Sequence, residues 1–147
     1  MRLPDNVVIQ SISDFCVCFF KDTKFHKDAP PHFYINVPID DDSSLLLCII
    51  TSKIEKRKKH CAKANRKALK SLVYVDNKTL EFLSKESIVD CNEADIVNKI
   101  ELQKRIDPKY KLKVIERNIP DNLKIQIVRA IKDSPLINEY IKKRLKP

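Results

Sequence analysis

Six apolar residues in succession, Leu45 to Ile50, place the strongest constraint on this chain. A run that short and unbroken is buried on both faces of a sheet or forms the centre of a small barrel. Ahead of it stand Asp40, Asp41, Asp42, Ser43 and Ser44, turn-formers whose side chains bond their own backbone. Earlier still, Phe33, Tyr34, Ile35 and Val37 have the aromatic and β-branched character of a partner strand. The apolar run stops at Thr51-Ser52-Lys53, so hydroxyls and then positive charge sit at the mouth of a rigid strand pair. Functional groups are commonly mounted at such mouths.

The 147 residues include no glycine, where average usage would supply roughly ten. Turns that need φ > 0 must therefore fall on Asn or Asp. Asp76-Asn77, between SLVYV and TLEFL, is the clearest place for a tight hairpin. The absence also removes the Gly-rich loops that cradle phosphates, and with them the nucleotide-binding P-loop and the dinucleotide fingerprint.

The length fits one domain with a real core. No apolar run is long enough to cross a bilayer; Asp14 to Phe20 is only about a strand in length. MRLPDNVVIQ lacks the apolar segment of a secretory signal, so a cytoplasmic location is expected. Cys16, Cys18, Cys48, Cys61 and Cys91 are odd in number and three lie in strand-like runs, which favours reduced core thiols over a disulfide framework.

The net charge of +9 is unevenly placed. Residues 1–52 carry −3, residues 53–70 carry +8, residues 71–96 carry −4 and residues 97–147 carry +8. The first basic block, KIEKRKKHCAKANRKALK, follows directly on the Thr-Ser strand end. Concentrated positive charge beside a candidate site is the footprint of a polyanion partner; its plain alternative is a solvated helix. Residues 54–69 hold good helix formers with weak apolar spacing at Ile54, Cys61, Ala64 and Ala68, so helix and loop both remain open.

Further strands are expected at Val7–Gln10, Phe15–Phe20, 71–76, 79–83 and Ser87–Asp90. Short strands with tight connections indicate a small barrel or sandwich rather than βαβ units. The tail turns helical. Asn92 to Ile106 is a helix candidate, and Lys109 to Glu116 alternates in a way that lets a short strand compete. Pro120 opens a helix running to about Asp133, with Leu123, Ile127 and Ile131 on one face, and Ser134-Pro135 has the pattern of a cap and first turn of another. The chain is thus expected to be mainly β with a helical tail, an α+β protein. Residues 1–96 form the barrel with a basic insertion at 53–70, and residues 97–147 form a helical extension packed on it.

Pro31-His32-Phe33-Tyr34-Ile35-Asn36-Val37, followed by Leu45 to Ser52, resembles the MazF/PemK-like toxin family. That family pairs a strand opening in a basic residue with an apolar strand closing in Thr-Ser. Phe82 to Asp90 is similar to the later segment of a divergent PemK-like subgroup, and the likeness covers roughly residues 10–95, with the tail also similar. The family usually carries Arg, commonly after Gly, where this chain has Pro31-His32. The resemblance implies a small SH3-like β-barrel followed by C-terminal helices, and a toxin-like endoribonuclease cutting single-stranded RNA without metal or cofactor. It further implies a homodimer and an antitoxin protein as partner.

Metal-free RNA cleavage needs proton transfer and positive charge near the phosphorane, and histidine titrates in the useful range. His32 is the candidate for proton transfer, Thr51 or Ser52 for a hydrogen bond to phosphate, and Lys53 for stabilising developing charge. Lys53, Lys56, Arg57, Lys58, Lys59, Lys63 and Arg66 are the candidate nucleic-acid contacts, with Tyr34 offering a ring for base stacking. His26 and His60 are lesser candidates, and Lys85 and Ser87 suit turn or packing roles. No metal site is expected: Asp40 to Asp42 read as a solvated turn, and Cys16-x-Cys18 lacks a chelating loop. The plain reading makes His32 a strand-edge residue and Thr51-Ser52 a strand end. A catalytically inactive SH3-like barrel that binds nucleic acid or an acidic protein is therefore the alternative function, and a structural subunit docking through its helical tail is a third.

Overall fold

Leu45–Ile50 lies in the middle of a sheet. In the computed structural model, which describes residues 4–25 and 28–147, it belongs to strand β3 (Ser44–Thr51). The other strands are β1 (Val17–Phe20), β2 (His32–Val37), β4 (Leu72–Val75), β5 (Ser87–Asn98) and β6 (Lys113–Glu116). They form one six-stranded sheet in the order β4-β5-β3-β2-β1-β6, with every pairing antiparallel. Leu46, Cys48 and Ile50 enter one apolar core, and Leu45, Leu47 and Ile49 enter another on the opposite face. Full burial of a Leu or Ile side chain contributes about 1.5–3 kcal/mol, so this run is a main source of stability.

Helices cover both faces. Leu123, Ile127, Ala130 and Ile131 of α4 (Asp121–Asp133) pack into the first core. Ile9 of α1 (Asp5–Gln10) and Leu102 of α3 (Lys99–Arg105) pack into the second. The protein is a mixed α+β fold with C-terminal helices, and the expected closed barrel is corrected to an open sheet. Among the described residues β4 pairs only with β5 and β6 only with β1, so the sheet keeps two edges. Closure is unnecessary because helices supply the apolar surface that a barrel would supply from its own far wall.

Several local expectations change for identifiable reasons. Val7–Gln10 is helical, within α1; Pro4 and Asp5 stand at its start, as a helix N-terminus favours. After β4, Asp76 Oδ1 accepts the N–H groups of Lys78 (3.0 Å) and Thr79 (3.3 Å). Residues 79–83 therefore form turns that bury Leu80 and Leu83, and no hairpin strand forms there. The helix expected over Asn92–Ile106 is confined to α3, because β5 continues to Asn98. The β3–β5 register breaks on the way: Leu47 faces Asp95, while Ile49 faces Asp90. Ser134 is buried; its hydroxyl accepts the Leu136 N–H (3.1 Å) and donates to Asn92 Oδ1 (2.6 Å). The last helix, α5 (Glu139–Arg144), starts after Asn138 instead, whose Oδ1 accepts the Ile141 N–H. The strand at Lys109–Glu116 is shortened to β6, which gives the tail a place at the edge of the main sheet.

Candidate nucleic-acid interface

One rung of the sheet carries the residues that the sequence singled out. Phe20 pairs with His32, Thr51 with Ile88, and Ile88 with Tyr74. The β2–β3 register pairs Phe33 with Ile50, and its next step sets His32 across from Thr51. Side chains of one rung share a face, so His32 and Thr51 are neighbours on the face that also bears Tyr34, Ile49 and Asp90.

His32 is half-buried, its ring 6.0 Å from that of Phe25. Burial, and then the nearby Arg57 charge, lower its pKa below the ordinary 6.5, against an opposing hydrogen bond to the Pro30 backbone. The imidazole is therefore neutral at neutral pH and able to accept a proton. Thr51 is buried, and its Oγ1 accepts the Lys53 N–H at 3.2 Å, which turns the chain out of β3. Ser52 and Lys53 are exposed at that turn.

The basic block then resolves into helix α2 (Ile54–Ala64) and a 3-10 segment over Arg66–Ser71. Ile54, Cys61, Ala68 and Leu69 pack on Leu72 and Ile88, which fixes the segment across the sheet. Asn65 separates the two helices; its extended backbone ends α2, and its Oδ1 accepts the Lys67 N–H. Lys53, Lys56, Lys59, Lys63, Arg66, Lys67 and Lys70 are all exposed. None of these seven has an ion-pair partner among the described residues. Lys58 is half-buried and lies 3.8 Å from Glu55, and exposed His60 lies 3.8 Å from Glu93.

Arg57 points the other way. Its Nη1 donates to Oδ2 of Asp90 at 3.1 Å, and Asp90 is wholly buried. The second Asp90 oxygen accepts the Asn92 N–H at 3.1 Å. Beside this pair a small cavity of about 50 Å³ is lined by Tyr34, Arg57, Arg105, Asp22 and Asp95, with Phe25, Leu47 and Ile49 among its apolar walls. Arg105 reaches both Asp22 and Asp95, and Lys24 adds a bond to Asp95 at 3.2 Å. The Asp22 hydrogen bond foremost raises the pKa of Arg105. Tyr34 is buried with its ring stacked on Phe20 at 4.4 Å, and its hydroxyl has no hydrogen-bond partner among the described residues. Burial and then the Asp22 charge push that phenol well above its ordinary range.

The remaining candidates lie apart from the rung. His26 is outside the described residues. Ser87 Oγ donates to the Lys85 carbonyl at 3.1 Å, a turn bond at the start of β5. Asp40 and Asp41 pair with Arg144, and bonds from Ser43 hold the Asp41 carboxyl down to about 2. All five cysteines are free and buried; Cys16 and Cys18 share one core. Among the described residues no three His, Cys, Asp or Glu side chains are gathered as metal ligands.

The structure adds residues that the sequence did not single out. Tyr74 is 60% exposed at the far end of the rung, on the edge strand beside the 3-10 segment. Its alternation with buried Val73 and Val75 was visible, but its edge position depends on strand order. Asp22, Asp90 and Arg105 gave no local signal because their partners lie 33 and 83 residues away. No protein-family model matches the chain, and no curated protein sequence matches it. Among the described residues no helix is long and apolar enough to cross a membrane.

Proposed function

We propose that this chain binds single-stranded RNA across the outward face of α2 and the following 3-10 segment. The observation that carries the reading is the set of seven exposed cations from Lys53 to Lys70, without ion-pair partners among the described residues, on one packed segment. Solvated helices usually intersperse both signs, whereas this segment holds one acid, Glu55, against nine Lys and Arg. Phosphates neutralise such a surface and release counterions. Exposed Tyr74 beside it favours a single strand, whose unstacked bases have open faces for an aromatic ring. The resemblance to MazF/PemK-like toxins favours RNA over other polyanions. The test is fluorescence anisotropy of the protein with a labelled single-stranded RNA over a salt series. Binding that weakens steeply with salt and is lost on reversing Lys59 and Lys63 to Glu supports the reading; salt-independent or absent binding defeats it.

A second reading, metal-independent cleavage of the bound strand, is favoured by His32 beside Thr51 with Arg57 behind them. Neutral His32 would take the proton of a ribose 2′-hydroxyl as that oxygen attacks phosphorus. The P–O5′ bond breaks, leaving a cyclic phosphate and a 5′-hydroxyl that receives a proton. Thr51 is buried and Arg57 is held by Asp90, so this chemistry requires the strand to enter between α2 and β2. That reading brings with it a toxin–antitoxin role, a homodimer and a cytoplasmic setting. End-labelled RNA incubated with and without EDTA, beside His32→Ala and Thr51→Val, distinguishes it: intact RNA that is still retarded on a gel leaves binding alone.

A further inference from the structure

Helix α4 has two working sides where packing on one sheet needs a single one. Leu123, Ile127, Ala130 and Ile131 point into the core. Ile125, Val128, Arg129 and Lys132 recur at helical spacing along a second side. Ile125 is 57% exposed although it is a large apolar residue in the middle of a well-formed helix. This second side is one wall of an open groove of about 550 Å³. Phe15, Pro38 and Leu145 line the groove opposite it. The groove falls within the usual size range of ligand sites and is too open to enclose a small molecule.

Phe15 is unusual in its own right. Its backbone is held at φ 59°, the left-handed region that a bulky residue avoids. The Phe15 N–H donates to the Asn36 carbonyl at 2.7 Å, and the Lys124 ammonium lies 5.4 Å from the ring centroid. The strained turn keeps the ring half-buried at the groove. The rim is basic: Lys124, Arg129, Lys132 and Lys146 stand against Asp14 and Asp133. Lys146 is 3.7 Å from Asp14 and Lys124 is 3.1 Å from Asp121. Arg129 and Lys132 have no carboxylate partner among the described residues and are exposed.

We propose that this groove docks an acidic peptide segment of another protein, in which large apolar side chains are flanked by Asp or Glu. The apolar side chains would pack on Phe15, Ile125 and Val128, and the carboxylates would meet Arg129 and Lys132. The apolar floor suits a peptide better than a sugar–phosphate backbone, and the concave shape suits it better than a membrane surface. The groove is also separate from the cations of α2, because α4 and α2 cover opposite faces of the sheet; the 3-10 segment meets α4 only on its core side, where the Ser71 hydroxyl donates to the Ala130 carbonyl at 2.7 Å. The inference does not depend on the RNA reading.

The test titrates the full chain into a fluorescein-labelled peptide of glutamates with two leucines one helical turn apart. Two control peptides replace the leucines with Ala or the glutamates with Lys. Saturable binding is expected for the first peptide, with both controls weaker by about tenfold or more. Ile125→Asp and the double change Arg129→Glu with Lys132→Glu should each weaken binding by about tenfold. These exposed changes should leave the thermal midpoint unmoved, while Lys59→Glu with Lys63→Glu should leave peptide binding intact. Equal binding of all three peptides, loss of binding on the α2 reversal, or no binding at all overturns the inference. Adsorption to phosphatidylserine vesicles that needs Ile125, without peptide binding, also overturns it.

Discussion

Arg57 Nη1 and Asp90 Oδ2, 33 positions apart in the chain, meet at 3.1 Å where α2 crosses the sheet. Asp90 has no exposed surface, so Arg57 is the charge that makes a carboxylate tolerable in a central strand. Breaking one side of such a pair is far more costly than removing both. Arg57→Met should destabilise the protein by about 3 kcal/mol in urea unfolding, and adding Asp90→Asn should restore at least half of the loss. A single Arg57→Met variant within about 1 kcal/mol of the parent contradicts this account.

His32 predicts a pH effect on stability. Its folded pKa lies below the unfolded value near 6.5, so the unfolded chain binds this proton more readily. The group is neutral in both states well above 6.5 and then contributes nothing. Stability should fall as pH drops through 6.5 to the folded pKa, and level off below it. His32→Phe should remove that step from a series of urea midpoints; identical pH profiles for the two proteins count against it.

RNA binding should separate charge from stacking. On single strands each lost phosphate contact lowers the salt slope by about 0.7, so Lys59→Glu with Lys63→Glu should flatten the plot as well as weaken binding. Tyr74→Ala should weaken binding by about 1–3 kcal/mol with the slope unchanged. A Tyr74 variant that alters the slope and not the intercept refutes the stacking role.

Asn92 links three parts of the fold. Its Nδ2 donates to the Ala68 carbonyl at 2.9 Å, and its Oδ1 accepts from Ser134 at 2.6 Å. Asn92→Ala leaves buried partners unpaired on the 3-10 segment and beyond α4, for a loss of about 3 kcal/mol. Hydrogen exchange should show the loosening at both places, whereas a change confined to β5 is the contrary result.

The thiols should be unreactive in the native state. All five are buried, and burial pushes Cys18 up to about 12. Ellman's reagent at mildly alkaline pH should find no fast thiol before unfolding and five afterwards. A rapidly reacting cysteine in the folded protein would disprove the packing described for it.

Where physics is local, the sequence was enough. The unbroken apolar run at Leu45–Ile50 demanded burial on both faces, and Pro120 with the spacing of Leu123, Ile127 and Ile131 marked α4 almost to its ends. The positive segment after Thr51 was legible as charge, though not as helix. Tertiary structure alone decided how long β5 is and whether the sheet closes. Asp90, Asn92 and Asp95 look out of place in a central strand until Arg57, Arg105, Lys24 and Ser134 arrive from distant parts of the chain. Closure likewise depended on whether helices or strands would cover each face, a contest among non-local contacts that no window of residues contains.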